Sequence, residues 1–272
     1  MGNVISFRSS ANTESAEISE KSPAAHLLNK DGWYMGVMVV PVHNEESEIA
    51  SFLRQWSAIV PELPLILVFD RCTDNTLEVA QQAMEPIIQE ATERNKSLRV
   101  HFEIIHENSY GKAGAVLFGL WCAVRFGYSM QLPVIFWDAD NEYILKRSTV
   151  EKLIHHVLNW GGLGSARRSG RKLFRSRLAA GATRMALSMS CHRKTPVDDI
   201  LTAVHAMPLL DALQILSHSR SFDMETRIVR YFMKRNVGIY ETEVEYIPRT
   251  IGKKIKAYHL FGILVAALGL SG

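Results

Sequence analysis

Cysteine is scarce in this chain. Its three residues, Cys72, Cys122 and Cys191, are odd in number and widely spaced among 272 positions. They make neither a disulfide framework nor a metal knuckle, which favours a reducing, cytoplasmic setting and a structural role for each thiol. Long apolar runs are also missing, since no stretch reaches the roughly 18 to 20 residues needed to cross a bilayer. The nearest approach is 258–272, uncharged apart from His259, which is expected to pack in the core or to dock on a membrane surface. Neither sign of charge dominates: the net charge of +3 is too small to argue for a nucleic-acid partner, so any basic site must be local. Residues 1–32 are polar, rich in Ser and Glu, and lack the apolar core of a signal peptide; this segment is expected to be a disordered tail. No internal repeat is present.

What remains, 33–257, has the ordinary balance of a globular domain, within a chain that is 47% hydrophobic and 22% charged. Short apolar runs alternate with amphipathic stretches. Strands are expected at 35–42, 65–69, 100–105 and 134–137, with helices at 49–59, 75–92 and 112–126 between them. This is the pattern of an α/β fold, a mostly parallel central sheet with helices on both faces. The second half is less regular. It offers helices at 149–160 and 223–234, a glycine break at 161–164, a strand at 238–246, and a basic stretch, Arg167 to Lys194, that reads either as a solvated face or as a helix pressed on anionic lipid.

The polar clusters fall at strand ends, where open α/β sheets bind ligands. Pro41-Val42-His43-Asn44-Glu45 closes the first strand, with Asn44 placed to cap the following helix. Asp70-Arg71-Cys72-Thr73-Asp74-Asn75-Thr76 closes the second, and Gly111-Lys112-Ala113 opens a helix after the third, a setting that favours a phosphate. Asp138-Ala139-Asp140 follows the fourth. Residues two apart on an extended chain share a side, so Asp138 and Asp140, with Glu142 if the chain stays extended, present hard oxygens suited to Mg²⁺ or Mn²⁺.

In that order these motifs resemble the nucleotide-sugar half of family 2 glycosyltransferases with the GT-A fold. Phe222-Asp223-Met224-Glu225, Gly238 to Glu241, Glu245 to Arg249 and Gly252-Lys253-Lys254 resemble the closing pattern of the polyprenyl-phosphate (dolichyl-phosphate mannose synthase-like) branch. There are departures: Phe69 stands where an Asp is usual, Thr242 and Glu243 where Val-Pro is, Lys253 for Ser, and His205 near the usual Arg.

The resemblance implies an inverting, metal-assisted transfer from a UDP- or GDP-sugar to a polyprenyl-phosphate acceptor, by an enzyme that sits peripherally on the cytoplasmic membrane face. Pro41, Asn44, Glu45 and Asp70 would line the nucleoside pocket and Lys112 would meet the diphosphate. Asp138, Asp140 and Glu142 would hold the metal, and Arg249 and Lys254 would add positive contacts. An ionised phosphate acceptor needs no base; a sugar or alcohol hydroxyl acceptor does, and Asp199, then Asp198, then Glu225 are the residues expected to serve. A silent GT-A binding module is a further reading, disfavoured by the presence of Lys112, Asp138, Asp140 and Arg249 together.

Overall fold

The computed structural model describes residues 4–8, 27–106, 111–169, 174–219, 223–248 and 257–269. In chain order the first half contains β1 (Val4–Arg8), β2 (Val37–Val42), α1 (Ile49–Ile59), β3 (Leu65–Asp70), α2 (Thr76–Glu93), β4 (Arg99–Ile105), α3 (Gly111–Arg125), β5 (Pro133–Phe136) and α4 (Arg147–Trp160). The second half contains β6 (Leu163–Ser169), α5 (Phe174–Ser190), β7 (His205–Pro208), α6 (Leu209–Leu216), α7 (Met224–Arg235), β8 (Ile239–Glu245) and α8 (Ala257–Leu268).

All the strands join one sheet in the order β1-β4-β3-β2-β5-β7-β6-β8. Strands β4, β3, β2 and β5 run parallel; β7 is antiparallel to both β5 and β6, and β6 is parallel to β8. Every residue of β3 is buried, as a strand covered on both faces requires. One core layer packs α1 and α2, through Ile49, Phe52, Trp56 and Met84, against Met38, Val40 and Leu67 of the sheet. The other packs α3, α6 and α7, through Val116, Leu120, Leu213, Ile228 and Phe232, against Val39, Val68 and Phe136.

The expected strands and helices of the first half lie within two residues of those found. Elsewhere the elements depart from expectation. Val4–Arg8, placed in the disordered tail, pairs antiparallel with β4, and Leu27 and Tyr34 are buried in the core. Strand β6, where only a glycine break was expected, and strand β7 extend the sheet beyond β5. The apolar C-terminal stretch forms α8, whose Ile263, Ala266 and Ala267 are buried, so its described part packs on the domain. Among the described residues no helix is long and apolar enough to cross a membrane.

Close approach of α3 to the sheet depends on Gly119, where an added Cβ would lie 2.5 Å from Val39 Cγ1 and 3.0 Å from Val68 Cγ2. Both are stiff, fully buried side chains. Gly119→Ala is therefore expected to lower unfolding free energy by about 1–2 kcal/mol, overpacking outweighing the gain in helix propensity. Gly181→Ala on α5, with nothing within 4 Å, is the control and is expected to be neutral or stabilising in urea titrations.

Candidate active site

The loops at the carboxyl ends of β2, β3 and β5 are tied into one polar rim. Asn44 carries the first tie: its Nδ2 donates to Thr73 Oγ1 at 3.1 Å and its Oδ1 accepts from Thr73 N at 2.8 Å. Asn44 has φ 54 and does not cap α1, which starts five residues later at Ile49 without a side-chain cap. The expected capping role is thus replaced by a loop-to-loop clamp. Glu45 N donates to Thr76 Oγ1 at 2.8 Å, and Asn75 donates from N and Nδ2 to Glu46 at 3.3 and 3.1 Å. His43 Nδ1 bonds the main-chain oxygen of Asp70 at 2.6 Å, fixing that ring nitrogen as the donor. Asn141 joins the β5 loop to the rim, donating to Glu48 O and Oε2 at 2.9 Å and accepting from Gln55 at 3.0 Å.

The expected nucleoside residues gather on this rim. Pro41 is partly buried on β2, Asn44 and Glu45 sit in the loop above it, and Asp70 is the buried last residue of β3, its Oδ1 accepting from Arg71 Nε at 3.1 Å. A cavity of about 1250 Å³ lined by Trp33, Arg99 and Tyr128 opens at the opposite, amino-terminal end of these strands. None of the residues expected to carry chemistry borders it.

Lys112 is the centre of charge. The turn into α3 passes through Gly111 at φ 70, a left-handed conformation open to glycine, and the next side chain reaches β5. Lys112 Nζ lies 2.9 Å from Asp138 Oδ1 and 3.5 Å from Glu225 Oε1 of α7. Burial works against the ammonium charge, but Asp138 and then Glu225 outweigh it and hold Lys112 above the usual lysine range. Burial pushes the Glu225 carboxyl up, with Lys112 opposing. Glu225 had been expected only as a third choice of base; its position beside Lys112 was not legible from its spacing.

Beyond Asp138 the chain departs from the extended geometry assumed for a three-carboxylate metal site. Strand β5 ends at Phe136, Asp140 Oδ1 accepts from Glu142 N at 3.1 Å, and Asn141 has φ 56. Glu142 is thereby turned away and its Oε2 accepts from Tyr246 OH at 2.7 Å. Among the described residues no three carboxylates, imidazoles or thiols converge as a metal-binding group. The residues that fit a divalent ion are Asp138 and Asp140, whose hard oxygens leave most of the shell to ligand phosphate and water.

Asp199 is not placed to act as a free base. It is 2% exposed, and Arg168 takes both its oxygens, Nε to Oδ2 at 2.6 Å and Nη2 to Oδ1 at 2.7 Å. Asp199 holds Arg168 above its ordinary pKa against the cost of burial. Asp198 is exposed and bonded to Arg184 at 3.1 Å. Glu241 receives the main-chain N–H groups of both aspartates, at 2.8 and 2.9 Å. Asp199, expected as the base, and its neighbour Asp198 are thereby tied to β6 and β8. Within the basic stretch Arg167, Arg168 and Arg184 pair with acids, while the side chains of Arg171, Lys172, Arg175 and Arg177 lie outside the described residues. Arg249 and Lys254 lie outside the described residues.

Tyr143 and Tyr246 were missed because nothing in their spacing marks them. Tyr143 is buried, its OH accepts from Ala203 N at 3.0 Å, and its ring packs edge-on against Trp137 and Tyr246. The Arg168 guanidinium lies 5.1 Å over the Tyr246 ring.

Asp199→Ala leaves Arg168 buried without its counter-charge and is expected to cost about 3–5 kcal/mol in urea unfolding. The Arg168→Met, Asp199→Leu double variant should recover part of that loss. An Asp199→Asn variant with unchanged stability and abolished turnover would return Asp199 to the role of base.

Residues 37–162 match the model for "Glycosyl transferase family 2". No curated protein sequence matches the chain. Solved structures of glucosyl-3-phosphoglycerate synthase from Mycobacterium tuberculosis share its fold. The complex of that enzyme with Mn²⁺, UDP and phosphoglyceric acid aligns with a TM-score of 0.61 at 17% identity, covering 88% of this chain and 84% of that one. The complex with UDP aligns at 0.57 and 18% identity, covering 86% and 80%. The complex with Mn²⁺, UDP-glucose and glycerol 3-phosphate aligns at 0.56 and 18%, covering 87% and 79%. The fold is thus of the GT-A type, and the family match runs from β2 to beyond α4, taking in the polar rim, Lys112, Asp138 and Asp140.

Proposed function

We propose that the protein transfers a sugar from a nucleoside diphosphate sugar, with inversion, to an acceptor whose nucleophile is a phosphate oxygen. The observation that supports the donor half is the contact of Lys112 with Asp138 at the carboxyl end of β5, beside the rim built by Asn44, Glu45 and Asp70. Pro41, Asn44, Glu45 and Asp70 take the nucleoside, and Lys112, at the start of α3, takes the diphosphate with the helix N-terminus. Asp138 and Asp140 would hold Mg²⁺ or Mn²⁺, which when bound offsets charge on the departing diphosphate. Lys112 offsets the same charge, and Arg249 and Lys254 are proposed to add to it.

On the acceptor side each acid expected to act as base is tied to a cation: Asp199 to Arg168, Asp198 to Arg184 and Glu225 to Lys112. A phosphate oxygen, ionised at neutral pH, attacks the anomeric carbon without a base while the bond from that carbon to the diphosphate oxygen breaks. A polyprenyl phosphate at a membrane surface meets this need. A soluble acceptor is the second reading, favoured by the phosphoglyceric acid in the structures of the similar enzyme. Glu142 is left to orient Tyr246.

Incubation with a panel of UDP- and GDP-sugars and Mn²⁺, with polyprenyl phosphate in vesicles or with phosphoglycerate, tests both halves. Label is expected in organic-extractable product, and Asp138→Asn, Asp140→Ala or EDTA is expected to lower the rate by about 100-fold or more. Label in aqueous product alone would shift the acceptor to the soluble class. No transfer from any nucleotide sugar to either acceptor would overturn the reading.

A further inference from the structure

The cavity of about 1250 Å³ at the amino-terminal end of the sheet takes no part in the proposed transfer. Four parallel strands begin at its border: Gly36 precedes β2, Pro64 precedes β3, Arg99 opens β4 and Leu132 precedes β5. The length of β2 and β3 puts it about 20 Å from the rim of Asn44 and Asp70, so a ligand held there leaves the donor position free. Its volume admits a whole small molecule rather than a single ion.

The charge on the lining is unbalanced. It carries Lys96, Arg99 and Arg125 against Asp31 and Glu62. Arg125 lies 3.1 Å from Glu103, and Glu62 lies 3.1 Å from Arg147, so these two are neutralised. Arg125 also stands in the last turn of α3, where the helix end favours a cation. Neither account extends to Lys96 and Arg99, which form no ion pair among the described residues. Lys96 closes α2 through its main chain, N to Ala91 O at 2.8 Å, which makes no use of its ammonium. In the β1–β4 ladder the register partner of Arg99 is Arg8, which sets a second arginine on the same rung. Like charges directly opposed across a ladder are destabilising, and an anion offsets them.

The walls are flat and apolar. The Arg99 guanidinium lies 4.6 Å over the ring of the buried Trp33. Burial pushes the Tyr128 hydroxyl up, and Arg99 beside it opposes the shift. Arg99 is thus held between two aromatic side chains of the lining. Farther along, the His101 and Phe126 rings are stacked at 4.0 Å. A phosphate ion alone would satisfy the cations and leave most of the space unfilled. A purely apolar molecule would leave Lys96 and Arg99 uncompensated. A ligand with a phosphate and a flat ring meets both conditions, because guanidinium pairs with phosphate and rings stack on aromatic faces.

We infer that this cavity is a second ligand site that takes a nucleotide, its phosphate on Lys96 and Arg99 and its base on the aromatic wall. The cations neutralise the phosphate themselves, so no divalent ion is required. The site goes beyond the proposed transfer and does not rest on it.

Calorimetric titration of the full chain in EDTA with AMP, GMP, CMP and UMP, beside inorganic phosphate and geranyl phosphate, is the test. At least one nucleotide is expected to bind saturably. Arg99→Ala and Lys96→Glu are each expected to weaken that binding about tenfold or more, and Asp138→Asn to leave it unchanged. Lys96 is exposed, so Lys96→Glu keeps the test valid if Arg99→Ala does not fold. Four results would overturn the inference: no nucleotide bound in EDTA, inorganic or geranyl phosphate bound as tightly as the best nucleotide, wild-type affinity in both cation variants, or loss of binding in Asp138→Asn. The last would place the nucleotide in the donor site. Absence of sugar transfer would overturn the glycosyltransferase reading and leave this result standing.

Discussion

The ion group of Lys112 with Asp138 and Glu225 is the constraint on which the site depends, because it joins three elements that the chain supplies far apart. Lys112 opens α3, Asp138 follows β5 by two residues, and Glu225 opens α7 in the half of the protein beyond the family match. Burial works against the charge of Lys112, and Asp138 and then Glu225 outweigh it. Its charge in turn keeps two carboxylates together in a place where they would otherwise repel. Any ligand diphosphate that engages Lys112 therefore acts on both halves of the molecule at once.

A second buried pair, Arg168 with Asp199, does for the acceptor side what Lys112 does for the donor side. It fixes β6 to the 198–199 turn, and Glu241 of β8 holds the same turn through its main chain. The consequence is chemical as well as structural. A carboxylate held at both oxygens by a guanidinium is a poor proton acceptor, which is the ground on which an already ionised acceptor is proposed.

The first half was legible in the sequence because its signals are local and agree with one another. Runs such as Leu65 to Phe69 are buried on both faces and so are apolar throughout, and Ile49, Phe52, Leu53 and Trp56 mark one face of a helix. Their order placed Asn44, Asp70, Lys112 and Asp138 at strand ends correctly. Strand β6 was not legible because its buried half, Leu163-Gly164-Ser165-Ala166, follows Gly161 and Gly162, and the three glycines together read as a break. Strand β7 was lost because it is four residues long and ends in Pro208. The extended geometry assumed for Glu142 failed on a single torsion, the positive φ of Asn141, which no alternation rule anticipates. The pairing of Arg168 with Asp199 spans 31 positions and two strands, so the arginine read as one more charge in a basic run.

Those two illegible strands are also among the places where a buried polar side chain lacks a partner. Near β5, Tyr143 finds Ala203, while Trp137 Nε1 is buried without one. At the β6–β7 register Ser165 and His205 are buried with no such partner. A hydrophobic pair would be more stable there, since a neutral imidazole and a hydroxyl each lose hydration without return. The position is one strand beyond Phe136, two residues before Asp138, so the cost falls beside the site rather than in the far core.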